Sequence, residues 1–221
     1  MANILIAPLG VGPTDSKKVR KREYRKADYA FYGEKEQFET PFASAFLVKK
    51  LDIDKVFFIG TAHSLWEEVY RYFIFKGGQE EDSEYWSDLV DKVYSSNHAV
   101  VNVTPQDLVQ TNKAVDLYLK KVNPQATGGT QSFIISYGLE EKEIWENTDI
   151  FWEIEESFQD GDNIFLDITH SFRSIPLFMY LMTDFTLMLS NKDVKLQGIY
   201  YGMLDVSDEL GYTPVINLGS L

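Results

Sequence analysis

Asn163-Ile-Phe-Leu-Asp-Ile-Thr169 runs directly into His170-Ser-Phe-Arg-Ser-Ile-Pro176, and from there the chain stays mostly apolar to Ser190. The first part has the length and composition of a buried strand. The second is a polar cluster, and the third opens a helix at Ser174 with Pro176 in its first turn. A strand that delivers polar groups to the start of a helix is the repeating unit of an open α/β sheet. The same order recurs elsewhere. Asn3-Ile-Leu-Ile-Ala7 is closed by Pro8-Leu-Gly-Val-Gly12, and Lys55-Val-Phe-Phe-Ile-Gly60 is followed by Thr61-Ala-His-Ser64 and a helix from Ser64 to Phe75. Gln131-Ser-Phe-Ile-Ile-Ser136 precedes an acidic helix with one face marked by Ile144, Phe151, Ile154 and Phe158. Strands that are apolar throughout, not alternating, have both faces covered. The prediction is an α/β fold: a doubly wound, mostly parallel sheet with helices on both faces.

The remaining elements attach to that frame. Ala27–Tyr32 and Glu36–Glu39 flank Gly33 as a hairpin extension, so residues 13–40 read as a basic loop plus hairpin insertion. Thr40 is the expected N-cap, and Pro41 the first residue, of a helix reaching Leu51. A helix over Tyr85–Tyr94, a strand over Ala99–Val103 and a helix over Pro105–Val122 follow. The last two strands, Lys195–Met203 and Thr213–Leu218, are joined by the polar Asp205–Gly211 turn and should form an antiparallel edge at the C-terminal end. Ile175–Leu189 is too short for a membrane span and reads as a buried core helix. Neither a signal peptide nor a membrane role is indicated.

The 221 residues favour a single domain over 1–221. The absence of cysteine excludes a disulfide framework, a thiolate metal site and a cysteine nucleophile, and suits a cytoplasmic location. A net charge of −13 argues against binding long nucleic acids. The charge is unevenly spread. Lys17, Lys18, Arg20, Lys21, Arg22, Arg25 and Lys26 are opposed locally only by Glu23. That stretch is either a solvated loop or a local attractor for a small polyanion that the rest of the chain would repel.

In such sheets ligands bind at the carboxyl ends of the strands, where helix N-termini present their amides. Three strand ends qualify. Pro8, Leu9, Gly10 and Gly12 allow a ligand close to the backbone, though a tight turn explains the glycines equally well. Thr61, Ala62, His63 and Ser64 open a helix, where capping is the alternative to ligand contact. Asp167, Thr169, His170, Ser171, Phe172, Arg173 and Ser174 offer hydroxyls, a guanidinium and an aromatic face ahead of an apolar helix. The alternative there is a set of helix caps with a salt-bridged arginine. One His and one Asp are too few for a metal, and no cofactor is called for. Phosphate-loop, nucleophile-elbow and HExxH patterns are missing, so the sequence points to recognition more than to turnover.

Asp167-Ile-Thr-His-Ser171, continuing through Phe172-Arg-Ser-Ile-Pro176, resembles the signature of the DxTHG family of CRISPR-associated proteins, which carry a CARF domain, the CRISPR-associated Rossmann fold. Asn3-Ile-Leu-Ile-Ala-Pro-Leu-Gly10, Tyr24-Arg-Lys-Ala27, Ile59-Gly-Thr-Ala-His-Ser-Leu-Trp66, Tyr200-Tyr-Gly202 and Thr213-Pro-Val-Ile-Asn-Leu218 are similar to that family in the same order. Ser171 stands where the family has glycine. The resemblance implies a Rossmann-like homodimer that senses cyclic oligoadenylate, most commonly the tetra-adenylate, and controls an effector. The uncapped ending at Leu221 suggests that the effector lies outside this chain. Helix amides, Ser64, Thr169, Ser171 and Arg173 would hold phosphates and riboses, with residues 17–26 as a lid. The alternative is a metal-independent ring nuclease in which the ligand's 2′-hydroxyl attacks the adjacent phosphate, with Thr169, His170, Ser171 and Arg173 as candidate catalytic residues. A third reading is an unrelated nucleotide-binding α/β enzyme.

Overall fold

The computed structural model describes residues 1–12, 24–95, 102–170 and 174–220. It contains one eight-stranded sheet. The strands are β1 (Asn3–Leu9), β2 (Ala27–Phe31), β3 (Phe38–Thr40), β4 (Lys55–Gly60), β5 (Gln131–Ile134), β6 (Asn163–Asp167), β7 (Lys195–Gly202) and β8 (Thr213–Asn217). Their order is β3-β2-β8-β7-β6-β1-β4-β5. β7–β8 and β2–β3 pair antiparallel, and the other neighbours pair parallel. The helices are α1 (Ala43–Lys50), α2 (Trp66–Gly77), α3 (Ser83–Val93), α4 (Val109–Val122), α5 (Glu141–Glu156), α6 (Ser174–Leu189) and the single turn α7 (Ser207–Leu210).

Alternate side chains of the central strands enter two cores. Leu5, Ala7 and Leu9 of β1, with Val56 and Phe58 of β4, meet the helices α1 to α4. Ile4, Ile6, Phe57, Ile59, Ile164 and Leu166 meet α5 and α6 on the opposite face. This two-sided burial is why the strands read as continuous apolar runs. The α/β, doubly wound, mostly parallel and Rossmann-like reading therefore describes the fold.

Several local expectations change. β8 pairs antiparallel with β7 as expected, but it is not the edge, because β2 pairs alongside it through Tyr29 opposite Thr213. The hairpin is part of the sheet. Thr40 does not cap α1; it ends β3, and its Oγ1 accepts the Phe42 N–H at 3.1 Å. α1 begins at Ala43 and has no side-chain cap from its own N-cap residue, Phe42. Likewise α2 starts at Trp66, two residues after Ser64. The strand expected over 99–103 falls largely on 96–101, outside the described residues, and Val103 is buried without being in a strand.

α6 is not simply a core helix. Ile175, Met179, Thr183 and Thr186 face inward. Leu177, Tyr180, Leu181, Phe185 and Met188 recur at helical spacing on its outer side and stay exposed, Met188 by 78%. The segment is apolar all round, so its periodicity carried no information about which side would be covered. No helix among the described residues is long and apolar enough to cross a membrane.

Candidate functional site

β1 and β6 lie side by side, in register from Asn3 opposite Asn163 to Ile6 opposite Leu166. From β1 the chain ultimately crosses through α1 to β4 on one side. From β6 it crosses through α6 to β7 on the other. The two connections leave in opposite directions, which makes the carboxyl ends of β1 and β6 the topological switch point, the place where such sheets bind ligands.

Pro8 and Leu9 finish β1, and Gly12 adopts φ +66°, a conformation that glycine enters without strain. The turn is tied down on its inner side. The Leu9 carbonyl accepts the Ser64 hydroxyl at 2.9 Å, and the Gly10 carbonyl accepts the Leu65 N–H at 3.3 Å and the Tyr24 hydroxyl. Ser64 is fully buried, and its Oγ also accepts the Thr61 N–H at 3.0 Å. Its hydroxyl thus joins β1 to the β4 turn. Thr61 is buried, and its carbonyl accepts the Trp66 indole N–H at 2.9 Å. A Cβ at Gly60 would lie 2.7 Å from the Trp66 ring, so that position must be glycine for the indole to cover the strand end. Ala62 and His63 are half-buried, and His63 Nδ1 donates to the Val93 carbonyl at the end of α3.

At the end of β6, Asp167 is 1% exposed and its Oδ1 accepts the Thr169 N–H at 2.9 Å. Burial pushes its carboxyl up to about 6, against the lowering effect of the Thr169 hydrogen bonds. Thr169 Oγ1 accepts the Gly202 N–H of β7 at 2.9 Å. A Cβ at Gly202 would lie 3.0 Å from both Thr169 Cγ2 and the Tyr29 ring. His170 turns towards the α1 side, where Tyr29 Oη lies 3.1 Å and the Ala43 N–H nitrogen 3.4 Å from its Nε2. Desolvation there draws its pKa down to about 4. Ser171, Phe172 and Arg173 lie outside the described residues, as does the Ser174 side chain, although Ser174 begins α6. Most of the basic 17–26 stretch lies outside them too. Arg25 and Lys26 make exposed ion pairs with Asp208 and Glu39.

Pro8–Gly12, Thr61–Ser64 and Asp167–His170 therefore lie at one end of the sheet. Beside them, at the end of β5, a cleft of about 210 Å³ is lined by Ile135, Tyr137, Ile144, Asn147, Ile175 and Phe178. A larger cavity, about 390 Å³, lies among Tyr24, Phe42, Tyr72 and Phe75 on the other side of the sheet. Among the described residues no three His, Asp or Glu side chains meet as a metal site. Tyr29 reaches His170 across 141 positions, a contact that no local sequence pattern signals.

The geometry agrees with an independent comparison: residues 4–205 match the family described as CRISPR system endoribonuclease Csx1, CARF domain. The chain belongs to the CARF-domain family. It is also 49% identical over all 221 residues to the CRISPR-associated protein MJ1674 of Methanocaldococcus jannaschii, spanning 34% of that protein's length. In this CARF sheet the Asp167-Ile-Thr-His170 signature marks the β6 side of the switch point, with Asp167 and His170 folded inward and the start of α6 just beyond.

Proposed function

We infer that residues 1–221 form a sensor domain for cyclic oligoadenylate, the tetra-adenylate foremost, in type III CRISPR antiviral defence. The ring would lie across a homodimer axis and control an effector on a longer chain or a partner. The observation that carries this reading is the position of Asp167–His170 at the end of β6, beside the β1–β6 switch point, with α6 beginning at Ser174. The unpaired N–H groups of a helix start attract phosphate. The cyclic ligand carries one charge per phosphate and has rotational symmetry, so a two-fold pair of sites reads it in halves.

The exposed stripe of α6 supports the dimer. Leu177, Tyr180, Leu181, Phe185 and Met188 form a surface with Asp184 as its one charge. Two chains of net charge −13 meet at least cost through such a face. The binding-only reading is favoured over ring cleavage, because His170 Nε2 and Thr169 Oγ1 are both engaged in holding the loop.

Isothermal titration with cyclic tetra-adenylate and cyclic hexa-adenylate at fixed salt tests the proposal. Tight binding at one ring per two chains is expected. Absence of binding to either ring would leave the sheet without its assigned ligand. Product analysis after incubation without metal separates sensing from cleavage, with intact ring expected.

A further inference from the structure

A direct β1-to-β4 crossover needs only one helix, yet this chain inserts β2 and β3 before α1 and places them beyond β8. Two tyrosines of that insertion reach back to the switch point. The Tyr24 hydroxyl donates to the Gly10 carbonyl in the β1 turn. Tyr29, fully buried on β2, places its hydroxyl 3.1 Å from His170 Nε2 in the β6 loop. The Ala43 N–H points at the same nitrogen from 3.4 Å. A backbone N–H can only donate, so Nε2 is the bare acceptor, the Tyr29 hydroxyl donates to it as well, and the ring proton sits on Nδ1. The Tyr24 ring also packs on His170 with centroids 5.7 Å apart, and on Phe42 at 4.9 Å.

We propose that the β2–β3 insertion is a buttress for the ligand site. Through Tyr24, Tyr29 and His170 it sets the spacing between the β1 turn and the β6 loop, and these three are positioning residues, not ligand contacts. His170, which the sequence offered as a ligand or catalytic group, acts as a neutral latch between that loop and the start of α1. The proposal rests on the sensor reading for its functional consequence, but its geometry is independent of the ligand. The titratable groups around the latch are Tyr24 and Tyr29, with Asp167 acting on Tyr29 and Glu67 and Glu68 acting on Tyr24. None of them is a cation that would replace the imidazole.

The test compares Tyr29→Phe, His170→Ala, their combination, and His170→Gln, whose side-chain oxygen accepts without taking up a proton. Affinity for cyclic tetra-adenylate is read by calorimetry and the imidazole by NMR. Tyr29→Phe and His170→Ala should each weaken binding roughly tenfold, as loss of an outer-shell hydrogen bond does. The double variant should be no weaker than His170→Ala, and His170→Gln should stay near wild type. The imidazole should keep its proton on Nδ1 and not titrate between about pH 5.5 and 8, with or without ring. The buttress is overturned by normal affinity in Tyr29→Phe beside lost binding in His170→Ala, by additive effects, or by an imidazole that titrates in that range. If wild type binds no ring, the sensor reading fails, and NMR alone decides the buttress. Tyr29→Phe should then shift both the His170 ring and the Ala43 amide, and unchanged signals would reject it.

Discussion

The two faces of the sheet carry equally apolar strands but finish them differently. On the α1–α4 face, Phe42, Phe46, Trp66, Tyr70 and Phe73 are almost completely buried. There Phe73 touches the rings of Phe42, Phe58, Tyr72 and Tyr118, and α3 docks onto α2, with Tyr85 and Tyr70 edge to face at 4.7 Å. Among the described residues, α5 and α6 cover the opposite face. Phe151, Ile154 and Met179 are buried beneath them, while the outer side of α6 remains apolar and exposed. One face is closed by the chain itself. The other is left apolar and exposed along α6, the surface that the proposed dimer would cover.

The largest expected effect breaks the closed face. Phe73→Ala should cost about 3–5 kcal/mol in urea unfolding, the usual range for a large aromatic lost from a packed core. In the monomeric chain, truncation of exposed Leu181 to Ala should stay within about 0.5 kcal/mol. Equal losses at the two positions would show that the faces do not differ.

A second prediction concerns Asp167 and His170, which sit where the two faces meet the switch point. Asp167, raised from 3.8 to about 6, takes up a proton in the folded state first, so its contribution to stability grows as pH falls from about 6 towards 3.8. His170, lowered from 6.5 to about 4, has the opposite sign: the unfolded chain protonates first, and stability is lost as pH falls from 6.5 towards 4. In wild type the two largely offset each other. Asp167→Asn should be more stable than wild type near pH 7.5 by roughly 2–3 kcal/mol, at 1.36 kcal/mol per pKa unit. That advantage should shrink at pH 5.5, leaving the His170 loss exposed. A pH-independent difference in paired unfolding curves would remove the buried-charge explanation.

The smallest effect on the fold is expected from Leu181→Glu, and it sharpens the comparison most. The variant should keep a melting temperature near that of the isolated wild-type chain, yet sediment as a monomer at concentrations where the proposed α6 dimer predicts that wild type pairs. A variant that remains dimeric would move the interface away from α6.

Strand and helix identities at the core were legible in the residues because β1, β4 and β6 are buried on both sides and their hydrophobic runs are unbroken. The signature from Asp167 onward was legible for the same reason: its polar groups interrupt that pattern abruptly. Helix starts were less so. Thr40 and Ser64 have the side chains of caps, but Thr40 closes a turn behind β3 and Ser64 is drawn inward to the Leu9 carbonyl.

By itself the sequence determined the α/β class, the parallel core and which strand ends carry polar groups, since these follow from local periodicity and from polar breaks at strand ends. The tertiary structure alone decided that the hairpin joins the sheet beyond β8, that His170 faces Tyr29, and that one side of α6 is left uncovered. Those outcomes depend on contacts between residues more than a hundred positions apart, or on which side of an all-apolar helix finds a partner. Neither leaves a mark in local spacing.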